Sequence, residues 1–275
     1  MNLLRLQKVF FVYIFFFLSK LILHFRGGDG MRKGTLRQIL LITDGCSNQG
    51  ESPIEAAALL FEYGIVVNVI GIIPEQDCNH HELREIEEIA SAGGGISEIV
   101  YAKQLSHTVQ MVTRKAMKQT IQGFVNKELQ QILGEGKYTE DLPPEQRGQV
   151  LEVVEEISES ADLEVFILID TSASMQDKLE PIKEALLDLQ LSLHARMGYQ
   201  EFALGVFPGK GKAVELLIDW TTKLNALTKV FTQLRLSGVT PTGPALRETR
   251  EYFRQKRSFR DRVKDEEQHR EKYGL

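Results

Sequence analysis

Hydrophobic residues arrive along this chain in short unbroken runs, separated by longer stretches with a three-to-four-residue repeat. That alternation predicts buried parallel strands covered by helices. Ile39-Leu40-Leu41-Ile42, Ile65 to Ile72 and Ile99-Val100-Tyr101 are the first strand candidates. Between them Ile54 to Tyr63 and His81 to Ala92 read as helices. Ser52-Pro53 opens the first, with proline at a favourable first-turn position, and Gly93-Gly94-Gly95 stops the second. A long helix is expected from Ser106 to about Leu133. Further strands are expected at Val165 to Ile169, Phe202 to Phe207 and Val214 to Ile218, apolar runs that suit parallel pairing inside a sheet. Ile182, Leu186, Leu189, Leu193 and Met197 form the core-facing stripe of an intervening helix, and a last helix follows Gly243 to about Lys256. The fold class is α/β, a doubly wound, mostly parallel sheet.

Three segments depart from this pattern. Residues 1–30 are an apolar extension in which Val9 to Leu18, preceded by Arg5 and Lys8, falls short of a full membrane span. Translation starting at Met31 is one reading, since Arg26-Gly27-Gly28 is what a purine-rich ribosome-binding sequence spells in frame. A membrane anchor and a cleaved signal lacking a small-x-small site are the other two. Residues 121–162 carry Gly134, Gly136, Pro143, Pro144 and one acidic helix, Pro144 to Ser158, and read as a helical connector. Residues 257–275 are a charged tail with too few apolar residues to pack.

At 275 residues with 43% apolar content, the chain can bury one full core and a small appendage. A net charge of -5 provides no basic footprint, which argues against nucleic acid as a partner. Two isolated cysteines, Cys46 and Cys78, suit a reducing compartment, so a cytoplasmic location is expected.

The chemistry-bearing residues follow the strands. Asp170 closes an apolar run and Ser172 and Ser174 come directly after it, so one loop offers a carboxylate and two hydroxyls. In open α/β sheets ligands gather beyond the carboxyl ends of strands. Hard oxygen donors with few charges suit Mg2+ (or Mn2+) better than zinc. An aspartyl phosphotransferase also places an aspartate there, but usually adds a second acid two positions on, where this chain has Ser172. Pro208 to Lys212 lacks the phosphate-loop pattern and reads as a turn, and His80, His81 and Cys78 match no zinc spacing. His107 and His194 read as packing or surface residues.

Asp170-Thr171-Ser172-Ala173-Ser174 resembles the D-x-S-x-S loop of the von Willebrand factor A family, with its metal-ion-dependent adhesion site. Gly238-Val239-Thr240-Pro241-Thr242-Gly243 is similar to the family's threonine loop, which implies Thr240 as a ligand, with Thr242 as the alternative. The family's T-D-G segment normally lies downstream, yet here its counterpart is upstream, as Ile39-Leu40-Leu41-Ile42-Thr43-Asp44-Gly45 followed by Asn48. The resemblance therefore implies a circularly permuted domain, with residues 163–256 as its first half and residues 35–120 as its second. Two half-domains or a swapped dimer are the alternatives. It further implies that Ser172, Ser174 and Thr240 contact the metal while Asp170 and Asp44 act largely through water. The implied function is a non-enzymatic protein-interaction module whose metal accepts an Asp or Glu carboxylate from a partner. A subunit serving an AAA+ ATPase, chelatase-like, is the rival. The nearest likeness is to short A-domain proteins of spore-forming Gram-positive bacteria, which would connect the chain to sporulation or signalling.

Overall fold

The computed structural model describes residues 34–256 except 46, 74–79, 134, 135, 137, 224–226, 232, 233, 235 and 237. The expectations for the apolar extension, the charged tail, Cys46 and Cys78 lie outside the described residues. Six strands form one sheet: β1 (Thr35–Thr43), β2 (Ile65–Ile72), β3 (Gly94–Val100), β4 (Asp162–Asp170), β5 (Gln200–Phe207) and β6 (Glu215–Thr221), in the order β3-β2-β1-β4-β5-β6. The helices are α1 (Pro53–Glu62), α2 (His80–Ala92), α3 (Leu105–Leu133), α4 (Pro144–Ser160), α5 (Leu179–His194), the short α6 (Leu227–Phe231) and α7 over 242–256.

Period-two alternation divides each central strand between two cores. Leu36, Leu40 and Ile42 of β1 and Val165, Ile167 and Ile169 of β4 pack in one cluster with residues of α3, α4 and α5. Ile39 and Leu41, with Phe166 and Leu168, face the other, which holds Ala56, Ala57 and Leu60 of α1, Ile86, Ile89 and Ala90 of α2 and Phe253 of α7. Burial on both faces is why these strands read as continuous apolar runs. Among the described residues no helix is long and apolar enough to cross a membrane.

The structure departs from four expectations. The last strand is not parallel: β6 runs antiparallel to β5, because the short connection over 208–214 permits only a hairpin return. Met197 does not extend the stripe of α5, since the helix ends at His194 and Met197 stands 72% exposed. The segment read as a connector is packed into the first cluster, through Ile121, Val125 and Leu129 of α3 and Val150, Val154 and Ile157 of α4. Strand β3 also begins earlier than its apolar residues do, at Gly94.

Connections set where a site can form. From β1 the chain winds outward to β2 and β3, and from β4 it winds the other way to β5 and β6, so the winding reverses between β1 and β4. These two strands pair in parallel, with Ile42 opposite Ile169. Their carboxyl ends therefore open side by side at the reversal, the place where open α/β sheets hold ligands.

Candidate metal centre

At that edge Asp170 is the last residue of β4, and Asp44 follows the last residue of β1. The Asp170 side chain is fully buried. One of its oxygens, Oδ1, accepts the Ser172 backbone N–H at 2.7 Å, and Oδ2 accepts the Thr43 hydroxyl at 2.7 Å. The loop then turns into a 3-10 helix, Ala173–Lys178, pinned by the buried Met175, whose N–H donates to Ser172 O at 3.0 Å. This turn brings Ser172 Oγ within 3.1 Å of Ser174 Oγ, and the Ser174 hydroxyl donates to Asp44 Oδ1 at 2.9 Å. The structure thus brings Asp170, Ser172, Ser174 and Asp44 together in one run of hydrogen bonds across the β1–β4 seam, although Asp44 lies far upstream in sequence.

Thr240 reaches the same edge by its backbone. Its N–H donates to Asn48 Oδ1 at 2.8 Å, and its carbonyl accepts the Asn48 N–H at 3.1 Å and the Ser47 hydroxyl at 3.3 Å. The segment after Asp44 therefore holds the threonine loop in place. Thr242 is almost fully buried, and its N–H donates to Thr240 O at 3.0 Å. Gly50, at φ +90, lies against the ring of Pro244. A Cβ at Gly243 would stand 2.0 Å from the Glu51 carbonyl oxygen, a backbone atom fixed by the same contact. Gly243→Ala is accordingly expected to cost about 1–3 kcal/mol, as overpacking does, read by urea unfolding; an unchanged midpoint would show that the two loops are free to part.

Sequence reading missed three participants. Thr43 stands in the T-D-G counterpart with no role of its own in the sequence reading, yet it donates to Asp170. Lys178 forms an ion pair with Asp44 Oδ2. Glu85 of α2 accepts the Ser47 N–H at 3.1 Å. Lys178 falls four residues after Ser174, one helical turn on, and that spacing was the available signal. Thr43 and Glu85 depend on strand register and helix docking, which no local pattern reports.

Burial pushes the Asp170 carboxyl up from 3.8 to about 6, with the charge of Asp44 adding to the rise, against hydrogen bonds from the Ser172 N–H, Thr43 and the Ser172 hydroxyl. Two carboxylates so close, one of them fully buried, make a site short of positive charge. Among the described residues no group of three or more His, Cys, Asp or Glu could hold a metal, so any ion here would depend on the serine and threonine hydroxyls as well as the two aspartates. A donor set made only of oxygens fits a hard divalent ion. The Lys178 ammonium against Asp44 already marks the spot as one that takes a cation.

Comparison with known proteins agrees with this architecture. The model of the von Willebrand factor type A domain matches residues 18–123, the part carrying β1, β2, β3 and most of α3. The chain is 53% identical over 245 residues to an uncharacterised protein of Bacillus subtilis, YabS, covering 89% of this chain and 100% of the relative. A crystal structure of an uncharacterised protein from Alicyclobacillus acidocaldarius superposes with a TM-score of 0.73 at 42% identity, covering 82% of this chain and 96% of that one. With the sheet, its helices and this relationship, the chain belongs to the von Willebrand factor type A domain family.

Proposed function

We propose that the chain is a non-enzymatic, Mg2+-dependent (or Mn2+-dependent) protein-interaction module. The observation that carries this reading is the hydrogen-bonded run from Asp170 through Ser172 and Ser174 to Asp44 at the reversal of the sheet. Ser172, Ser174 and Thr240 would hold the ion directly, with Asp170 and Asp44 largely through water. The bound ion supplies electrophilicity, because only two carboxylates are opposed to its charge, and an Asp or Glu carboxylate of a partner can complete its coordination. The chain's own contribution is preorganisation: Thr43 orients Asp170, Asn48 fixes the Thr240 backbone, and the 3-10 helix sets the spacing of the two serines.

We also infer that one permuted domain makes the whole site, residues 163–256 acting as its first half and residues 35–120 as its second. Its support is that β1 and β4 are neighbours in one sheet, with Asp44 and Asp170 at the same edge. The partner, an AAA+ ATPase among the candidates, and a place in sporulation are matters for capture experiments. Affinity capture in Mg2+ and in EDTA tests the interaction: partners recovered only with the metal support it, and the same partners under both conditions contradict it.

Metal loading requires Asp170 as carboxylate. Since its folded pKa lies near 6, proton and metal compete below that value. Apparent Mg2+ affinity measured by calorimetry should fall by about tenfold between neutral pH and pH 5, one unit below that pKa. A flat profile over this range would mean that Asp170 is not displaced from its proton by the metal.

A further inference from the structure

We infer that Lys178 is a tethered cation that holds Asp44 when the divalent ion is absent and competes with that ion for the site. The inference rests on the metal reading above and adds a control element to it. Lys178 ends the 3-10 helix that follows the two serines, and its ammonium pairs with Asp44 Oδ2 while Ser174 holds Oδ1 of the same carboxylate. Both partners are enclosed: the Lys178 side chain is 17% exposed and that of Asp44 only 2%. An ion pair this sheltered is weakly screened by salt, so it is a persistent occupant of the site, unlike a surface pair.

The charge count gives the consequence. Asp170 and Asp44 present two negative charges when ionised, and Lys178 offsets one of them. A divalent ion brought in beside an undisturbed Lys178 would leave an enclosed site with net positive charge, so loading must drive the ammonium away from Asp44 or accept the repulsion. Either way, part of the intrinsic metal affinity is consumed by the lysine. Its backbone is fixed between the 3-10 helix and α5, but the four-carbon stem can swing the ammonium outward to water. Asp44 is thereby held, and its charge offset, at low metal, and it is released when metal rises.

Calorimetric titration of Mn2+ into the full chain, wild type against Lys178→Met and Lys178→Arg, tests this. Lys178→Met should bind Mn2+ about tenfold more tightly, a coupling of ordinary size for two mutually exclusive events, and should melt lower in EDTA because Asp44 loses its counter-charge. Lys178→Arg, which keeps the charge, should stay near wild type. Should the methionine variant fail to fold by circular dichroism, Lys178→Gln takes its place with the same expectation. Equal or weaker binding by the folded neutral variant overturns the role of Lys178 and leaves the metal site standing. If neither wild type nor variant takes up Mn2+, the metal reading and this inference fall together.

Discussion

Asp170→Ala is expected to leave no measurable Mg2+ binding, a loss of at least about a hundredfold, the upper end of what removing a ligand-orienting partner costs. Asp170 is the buried hub of the site, accepting from Thr43 and from the Ser172 backbone, so its removal takes away a charge and the anchor of the serine loop. Asp170→Asn separates these effects in part, because it removes the charge and keeps the shape, its oxygen still accepting the Ser172 N–H while its amide N–H faces the Thr43 hydroxyl, which must turn to accept it. With its folded pKa raised from 3.8 to about 6, the carboxyl contributes stability that is fully present below its unfolded pKa and is lost as pH rises through about 6. The metal-free wild type should therefore lose about 2 kcal/mol between pH 4 and pH 7 through this group. Asp170→Asn should not show that loss, and in EDTA at pH 8 it should unfold at higher urea than wild type while binding no metal. A wild-type urea midpoint that matches the variant at both pH values would mean that the buried carboxylate carries no such cost.

Phe166→Ala should produce the largest loss of stability, about 3–5 kcal/mol, as expected for an emptied core aromatic. Phe166 is fully buried in β4, with ring centroids at 5.4 Å from Tyr252, 6.2 Å from Phe253 and 6.2 Å from Trp220. These contacts bring α7 and β6 onto the central strand, and α7 begins in the threonine loop. Truncation thus loosens the support of Thr240 from the opposite end of that helix. Urea unfolding in EDTA measures it, and a loss under 1 kcal/mol would mean that the aromatic cluster is not what secures α7.

Much of the site was legible because its residues sit in short local patterns. Asp170, Ser172 and Ser174 are consecutive with a strand end, and Thr240 and Asp44 each lie in a compact loop after an apolar or turn-forming stretch. The expectation that they converge came from the resemblance to a permuted domain, with two half-domains and a swapped dimer as the alternatives. The unforeseen partners depend on other physics. Thr43 meets Asp170 through the register of two strands far apart in sequence, and Lys178 meets Asp44 through a helical turn crossing a strand seam. The same limit explains the fold. Runs such as Ile65 to Ile72 announced themselves because every residue is buried, whereas β3 opens on glycines and β6 is only half covered. Met197 kept the helical spacing of its neighbours but fell beyond the end of α5, where periodicity no longer carries meaning. The residues of α3 and α4 that enter the core were hidden among charges, so the segment read as a link although it covers one face of the sheet.

The most direct measurement is anomalous diffraction at the manganese edge from crystals of the full chain grown in MnCl2. One strong peak is expected at the carboxyl edge of β1 and β4, at roughly the 2.0–2.2 Å typical of small divalent ions from the hydroxyls of Ser172, Ser174 and Thr240, with Asp170 and Asp44 of the same chain around it. A peak held by residues of only one half, one completed by Asp44 of a second chain, or none at this edge would contradict a single site built from both halves of the sequence.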